Sequence, residues 1–266
     1  MSNTLLSYIE PPKNAQDTVF TLQSPRSAYK IRVELFHCDR GYLSTVKRVI
    51  CLHSAPHSVS LFLSMKDQAD LALYCCPLLA FKEEKAYVLA YTAKYHYPLA
   101  ILTVMDDLND LFVRNGVPTY HRRWCTRIFK IQACKLFYRK TIPSGVVEYI
   151  GIQAHHSKSR SMMNPRRCRD AKSSSTYTIF REYPIFTLSE QDNLTLMRAH
   201  GIPPSINYSS LNRHGCFLCP FAGRKYYEQL QQQNPALFAE CQRLMTKGSI
   251  GRGDPPYYYY PKDRLI

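Results

Sequence analysis

The stretch VICLHSAPHSVSLFLSM, residues 49–65, sets the frame of the fold. Val49–Leu52 is an apolar run of strand length. His53–Ser58 is a turn rich in Ser, His and Pro, and Val59–Met65 resumes as an apolar run that opens a helix. Working outward, the alternation recurs. Leu71–Cys76 reads as a second buried strand. Lys82–Tyr95 carries Tyr87, Val88, Tyr91 and Tyr95 on one side at helical spacing. Leu99–Met105 is a third apolar run, Asp107–Val113 a short helix stopped by Gly116 and Pro118, and Thr126–Arg139 a basic amphipathic helix. Val146–Ile152 and Tyr177–Phe180 are further strands, and Leu188–His200, Lys225–Gln232 and Pro235–Met245 further helices. Upstream, Tyr29–Phe36 alternates as a strand, while residues 1–28 are polar and fit no element.

Short apolar strands alternating with helices predict an α/β fold: a doubly wound, largely parallel sheet flanked by helices. Ligands of such sheets sit at the carboxyl ends of strands, beside the switch in strand order. The loops after Leu52, Met105 and Ile152 are therefore the expected places for a site. We divide the chain into an N-terminal extension (1–40), the α/β domain (41–222), and C-terminal helices with a Tyr/Pro-rich tail (223–266).

The 266 residues are 45 % hydrophobic and 12 % aromatic, which excludes a disordered chain. The longest apolar run, Tyr74–Phe81, is broken by Pro77 and falls short of the roughly 18–20 residues of a membrane span. The opening MSNTLLSYIEPPK has no basic region leading into an apolar one, so a cytoplasmic protein with no membrane partner is expected. The net charge of +15 suits anionic partners. It is concentrated. Residues 121–172 hold thirteen Lys/Arg against two acids, +11 of the total.

Ten cysteines without an export signal argue against a disulfide framework. Cys51, Cys75 and Cys76 lie in strand-like runs and read as small buried hydrophobes. Cys216-Phe217-Leu218-Cys219, with Gly215 ahead and Pro220 behind, forms a knuckle whose thiolates can grip one metal. A redox pair is the alternative, but the strand–helix context of a thioredoxin-like unit is missing. Two cysteines do not complete a site. Cys125 is the best further ligand, with Cys134 and Cys168 behind it.

Arg122-Arg123-Trp124-Cys125, Gly151-Ile152-Gln153-Ala154 with Ser157 and Arg160, Pro184-Ile185 followed by Gly201-Ile202-Pro203, and Cys216-Phe217-Leu218-Cys219-Pro220 follow one another in an order. That order resembles the phosphoadenylyl-sulfate (PAPS) reductase family of the adenine-nucleotide α-hydrolase superfamily. The resemblance runs from about Val49 to Phe221. It implies that Cys125, Cys216 and Cys219 ligate a [4Fe–4S] cluster, with zinc as the alternative. It also implies that Ser54, His57, Ser58, Gly151, Gln153, Ser157 and Arg160 meet an adenine nucleotide or another anion.

The chain also departs from that pattern. The family's S-G-G-x-D-S loop corresponds to Ser54–Ser60, where both glycines and the aspartate are gone and Pro56 removes an N–H donor. Gln153 and His156 replace an arginine and a glutamate, and Cys75-Cys76-Pro77 replaces D-T-G. Family members that reduce PAPS use a mobile C-terminal cysteine, whereas only Cys241, in a predicted helix, follows Cys219. The expected function is sulfur transfer or modification on a nucleotide or nucleic acid. The alternatives are a non-catalytic derivative and, second, a phosphoadenylyl-sulfate or adenylyl-sulfate reductase. RNA or DNA would meet Arg122, Arg123, Arg127, Lys130, Arg166 and Arg167, with Tyr138, Tyr149 and Tyr177 as stacking candidates.

Overall fold

The computed structural model describes residues 18–25, 28–163, 168–169, 177–211 and 215–250. Eight strands form one sheet: β1 (Val19–Gln23), β2 (Lys30–Phe36), β3 (Arg48–Leu52), β4 (Leu71–Cys76), β5 (Leu99–Val104), β6 (Val146–Ile150), β7 (Cys168–Arg169) and β8 (Ile179–Glu182). Their order is β1-β2-β5-β4-β3-β6-β8-β7. The inner strands β5, β4, β3, β6 and β8 run parallel. β1, β2 and β7 add antiparallel edges. The doubly wound, largely parallel sheet expected from the alternation is present. The chain leaves β3 towards β4 and β5, then returns to lay β6 on the other side of β3. The switch point lies between β3 and β6, where ligands of such sheets bind.

The helices are α1 (Pro56–Met65), α2 (Lys82–Ala93), α3 (Leu108–Asn115), α4 (124–141), α5 (Lys158–Ser161), α6 (Glu190–Ala199), α7 (Ile206–Leu211), α8 (Arg224–Gln233) and α9 (Pro235–Ile250). Buried strands such as β4, LALYCC, are apolar along their length because helices cover both faces. One core layer holds Val33, Leu73, Leu102, Phe112, Trp124, Phe129, Phe137, Leu230 and Leu244. The other holds Ile50, Phe62, Tyr74, Tyr91, Ile101, Ile185 and Met197.

Three differences from the sequence reading have physical causes. Residues 19–36 do not stand apart: β2 pairs along its length with β5 and β1 covers β2. The polarity of 1–28 hides β1 because it is an edge strand with only Leu22 buried. The helix expected over Thr126–Arg139 is longer and widens into a π-helix at Arg127–Gln132. Side chains from the sheet reach the carbonyls of this stretch: Tyr29 Oη donates to Ile128 O at 2.6 Å and the Cys75 thiol to Lys130 O at 3.9 Å. The short helix α7 went unpredicted. Among the described residues no helix is long and apolar enough to cross a membrane.

Two glycines are required, one by a close approach and one by its backbone angle. Gly248 lets α9 lie on the turn after α3, where a Cβ would come within 2.9 Å of the Val117 backbone nitrogen. Gly215 has φ +91°, a conformation that favours glycine, and it starts the cysteine knuckle.

Candidate functional site

A pocket of ≈ 450 Å³ opens at the carboxyl end of the sheet. It draws on five separate parts of the chain. The loop after β3 and the start of α1 give His53 and His57. Pro77 follows β4. Arg123, Cys125, Thr126, Phe129 and Lys130 come from the start of α4, and His156 and Arg160 from the loop after β6. The knuckle contributes Cys216, Cys219 and Phe221. The loop after β5 takes no part: its Met105 is exposed and its thioether sulfur meets Thr21.

Local chemistry explains each wall. Pro56 opens α1 at a position where a missing N–H costs nothing. The Ser58 hydroxyl accepts from the His53 N–H at 2.8 Å, and His53 Nδ1 accepts from the Ala55 N–H at 3.2 Å, so the turn closes on itself. The ring of His57 packs against those of His53 and His156, with centroids 4.6 Å away in both cases. Gly151 sits beneath it, since a Cβ there would lie 3.3 Å from His57 Cδ2.

Across the switch point, Ser157 caps α5 by accepting from the Arg160 N–H at 3.3 Å. The Arg160 guanidinium donates to His156 Nδ1 at 2.9 Å. That nitrogen accepts, so the His156 proton sits on Nε2. Burial, helped by His155 and Arg160 and opposed by Glu190, lowers the His156 pKa. Burial and the neighbouring Arg123 lower that of Arg160. Among the described residues no carboxylate forms an ion pair with Arg123, Lys130 or Arg160. Glu148, one of the two acids of the basic segment, is committed inside the sheet to Arg181 at 2.9 Å.

Trp124 anchors the start of α4. Its indole N–H donates to Gly116 O at 3.0 Å and its ring meets Phe112 and Phe129. This fixes Cys125 beside the pocket. The knuckle is pinned by Phe217 N–H to Leu79 O (2.9 Å), Tyr226 Oη to Phe217 O (2.9 Å) and Tyr227 Oη to Cys219 O (3.2 Å). Beneath it lies Glu84, 1 % exposed, whose Oε1 accepts from Asn207 at 3.2 Å while Oε2 has no partner among the described residues.

The structure places Cys125, Cys216 and Cys219 on the lining of one pocket. Burial raises the Cys125 thiol, and Cys219 is near enough to raise it further. The three do not form a ready donor set. Among the described residues, no three His, Cys, Asp or Glu side chains are gathered closely enough to hold a metal ion. Cys134 lies elsewhere, its sulfur 3.2 Å from that of Cys75.

Of the expected anion-binding residues, His57 and Arg160 line the pocket, and Gly151, Ser58 and Ser157 hold its walls. Gln153 is not at the surface of the pocket. It is fully buried, and its amide exchanges two hydrogen bonds of 3.0 Å with Asn193. Ser54 is also buried, its hydroxyl without a partner among the described residues. Of the basic residues, Arg123 and Lys130 line the pocket while Arg122 and Arg127 are exposed beside it. Arg166, Arg167 and the side chain of Cys168 lie outside the described residues. Tyr138, Tyr149 and Tyr177 are all buried and cannot stack on a base. The sequence reading offered all three as stacking candidates but favoured a core position for Tyr149, which the structure gives it. It also missed Phe221, which only the return of the knuckle to α4 brings to the pocket.

No family model matches the chain. It is 21 % identical over 164 residues to the uncharacterised protein MJ0066 of Methanocaldococcus jannaschii, an alignment covering 59 % of this chain and 33 % of that protein. The chain therefore spans about one third of the length of the curated relative it matches. Among solved structures it is similar to the phosphoadenylyl-sulfate reductase of Candida auris in a phosphate complex. The TM-score is 0.43 and the identity 11 %, over 67 % of this chain and 87 % of that one.

Proposed function

We propose that this pocket binds an anionic nucleotide-type ligand and that the protein acts in sulfur transfer or modification on a nucleotide or nucleic acid. The observation that carries the reading is the convergence of Arg123, Lys130 and Arg160 on one pocket at the switch point, with no ion-paired carboxylate among the described residues. Like charges held together at some cost favour an anion that relieves their repulsion. Cys125, Cys216 and Cys219 on the same wall supply the sulfur side of the proposal. They are also the proposed place for the [4Fe–4S] cluster, or for zinc, that the resemblance implies.

A specific observation favours the non-catalytic derivative as second reading. Where a glycine loop would cradle phosphates, this chain has Pro56 and a buried Ser54. The reductase reading is weakened by Cys241, which is fully buried and reaches Phe217 O at 3.8 Å, and so is no mobile nucleophile.

Calorimetry with ATP tests the pocket. Binding that falls about tenfold or more in Arg160→Ala and in Arg123→Ala, with melting unchanged, supports it. No binding by the wild-type chain overturns it. Iron, sulfide and zinc analysis of anaerobically purified protein tests the cysteine face. Metal that disappears in Cys125→Ala supports a centre there, and a metal-free wild type removes it.

A further inference from the structure

We propose that an exposed aromatic pair at the mouth of the pocket, Tyr120 and Phe221, is a base-stacking platform, which makes the macromolecular substrate a single-stranded nucleic acid. The inference rests on the proposed anion-binding role of the pocket and narrows its substrate class.

Tyr120 is 65 % exposed and Phe221 47 % exposed, although they come from segments about a hundred residues apart in the chain. Their ring centroids are 5.2 Å apart. Each is held by its own local structure. The 119–122 turn is closed by Thr119 N–H to Arg122 O (3.2 Å) and by Arg122 N–H to Thr119 Oγ1 (3.1 Å), which presents Tyr120 and His121 at its tip. Phe221 follows Pro220 in the tight turn closed by Ala222 N–H to Cys219 O at 2.9 Å. His121 adds a third ring 5.2 Å from Tyr120.

Charge says what these rings meet. The Arg123 guanidinium lies 4.9 Å from the Phe221 ring centre and also lines the pocket. Arg122 and Arg127 are exposed on the same segment. Exposed aromatics interleaved with arginines present stacking faces for bases and cations for the phosphodiester chain between them. A base in a duplex has both faces covered by its neighbours, so only an unpaired base can lie on such a platform. The buried Tyr138, Tyr149 and Tyr177 offer no competing surface.

The test uses a fluorescein-labelled single strand of about 12 nucleotides, as DNA and as RNA, against the same sequence in duplex. Anisotropy reads these, and calorimetry reads ATP. The wild type is expected to bind the single strand more tightly than the duplex. Tyr120→Ala with Phe221→Ala is expected to weaken single-strand binding on the order of 10- to 100-fold. Tyr120→Ala alone, outside the pocket lining, should weaken single-strand binding with ATP binding and melting unchanged, and Tyr120→Phe with Phe221→Tyr should retain single-strand binding. Duplex binding as tight as single-strand binding overturns the platform, as does wild-type single-strand binding by the double alanine variant. A wild type that binds the strand through the platform but takes no ATP would overturn the pocket reading and leave the platform standing.

Discussion

The rings of His57 and His156 meet edge to face at 4.6 Å, and this contact seats the loop after β3 against the loop after β6. Two loops about a hundred residues apart in the chain thereby become one wall of the pocket. The contact depends on what lies beneath and behind it, and those neighbours yield the predictions that follow.

Gly151 lies under His57, where an added Cβ falls 3.3 Å from Cδ2 and 3.5 Å from the backbone oxygen. Gly151→Val must push His57 towards the ligand. ATP affinity should fall about tenfold, roughly 1.4 kcal/mol, while the melting temperature moves little. Calorimetry beside a thermal melt checks this, and unaltered affinity would detach His57 from binding.

The Gln153–Asn193 amide pair holds the second loop from behind. Gln153→Ala strands a buried Asn193 amide and should cost about 1–3 kcal/mol. At roughly 2–4 °C per kcal/mol for a chain of this size, calorimetric melting should show a clear drop. Replacing both partners by leucine should cost less than the single change, because no polar group is then left unmet.

Glu84 provides a pH dependence. Burial pushes its carboxyl up to about 7, opposed by the hydrogen bonds from Asn207 and the Gly215 backbone and reinforced by Glu83. Tyr74, Cys76, Tyr87 and Tyr91 are further titratable neighbours, and burial raises each of them, which favours their neutral forms. The fold therefore prefers the protonated acid. This stability is fully present below the ordinary value of 4.5 and lost as pH rises through about 7. Urea unfolding between about pH 5 and 8 should show the wild type weakening by up to about 3 kcal/mol. Glu84→Gln should flatten the curve. A variant with the wild-type slope would place the titration elsewhere.

Cysteine reactivity should divide along burial. Burial lifts the Cys51 thiol well above the ordinary range, the contact with Cys75 and then burial lift that of Cys134, and burial pushes Cys241 up to about 12. Thiols rather than thiolates react slowly. In the native protein iodoacetamide at about pH 8 should spare these three, and mass spectrometry should find them modified only after unfolding in urea. Rapid native labelling of Cys134 would contradict its place between β4 and α4.

The strands β3 to β6 and the helices around them were legible because each carries its own period or apolar run. β4 was readable to the residue, LALYCC between the polar stretch 66–70 and Pro77. β1 was not, because an edge strand with one buried side chain has no apolar face to show. The knuckle was legible since Gly215, two cysteines and Pro220 are local. Gln153, Tyr138 and Tyr177 were misjudged for one reason: sequence names a side chain but not the face it takes.

The sequence by itself determined the alternation of strand and helix, the concentration of positive charge over 121–172 and the local turn chemistry of the loop after β3 and of the knuckle. Those are contacts between near neighbours, and backbone propensity and hydrophobic period decide them. The tertiary structure alone decided that Arg123, Arg160, His57 and three cysteines share one pocket, and that Tyr120 meets Phe221 at its mouth. Those meetings depend on β6 returning to the other side of β3 and on the knuckle folding back onto the segment after β4. Closures of that length are selected by burial of the whole sheet, which no local stretch of sequence encodes.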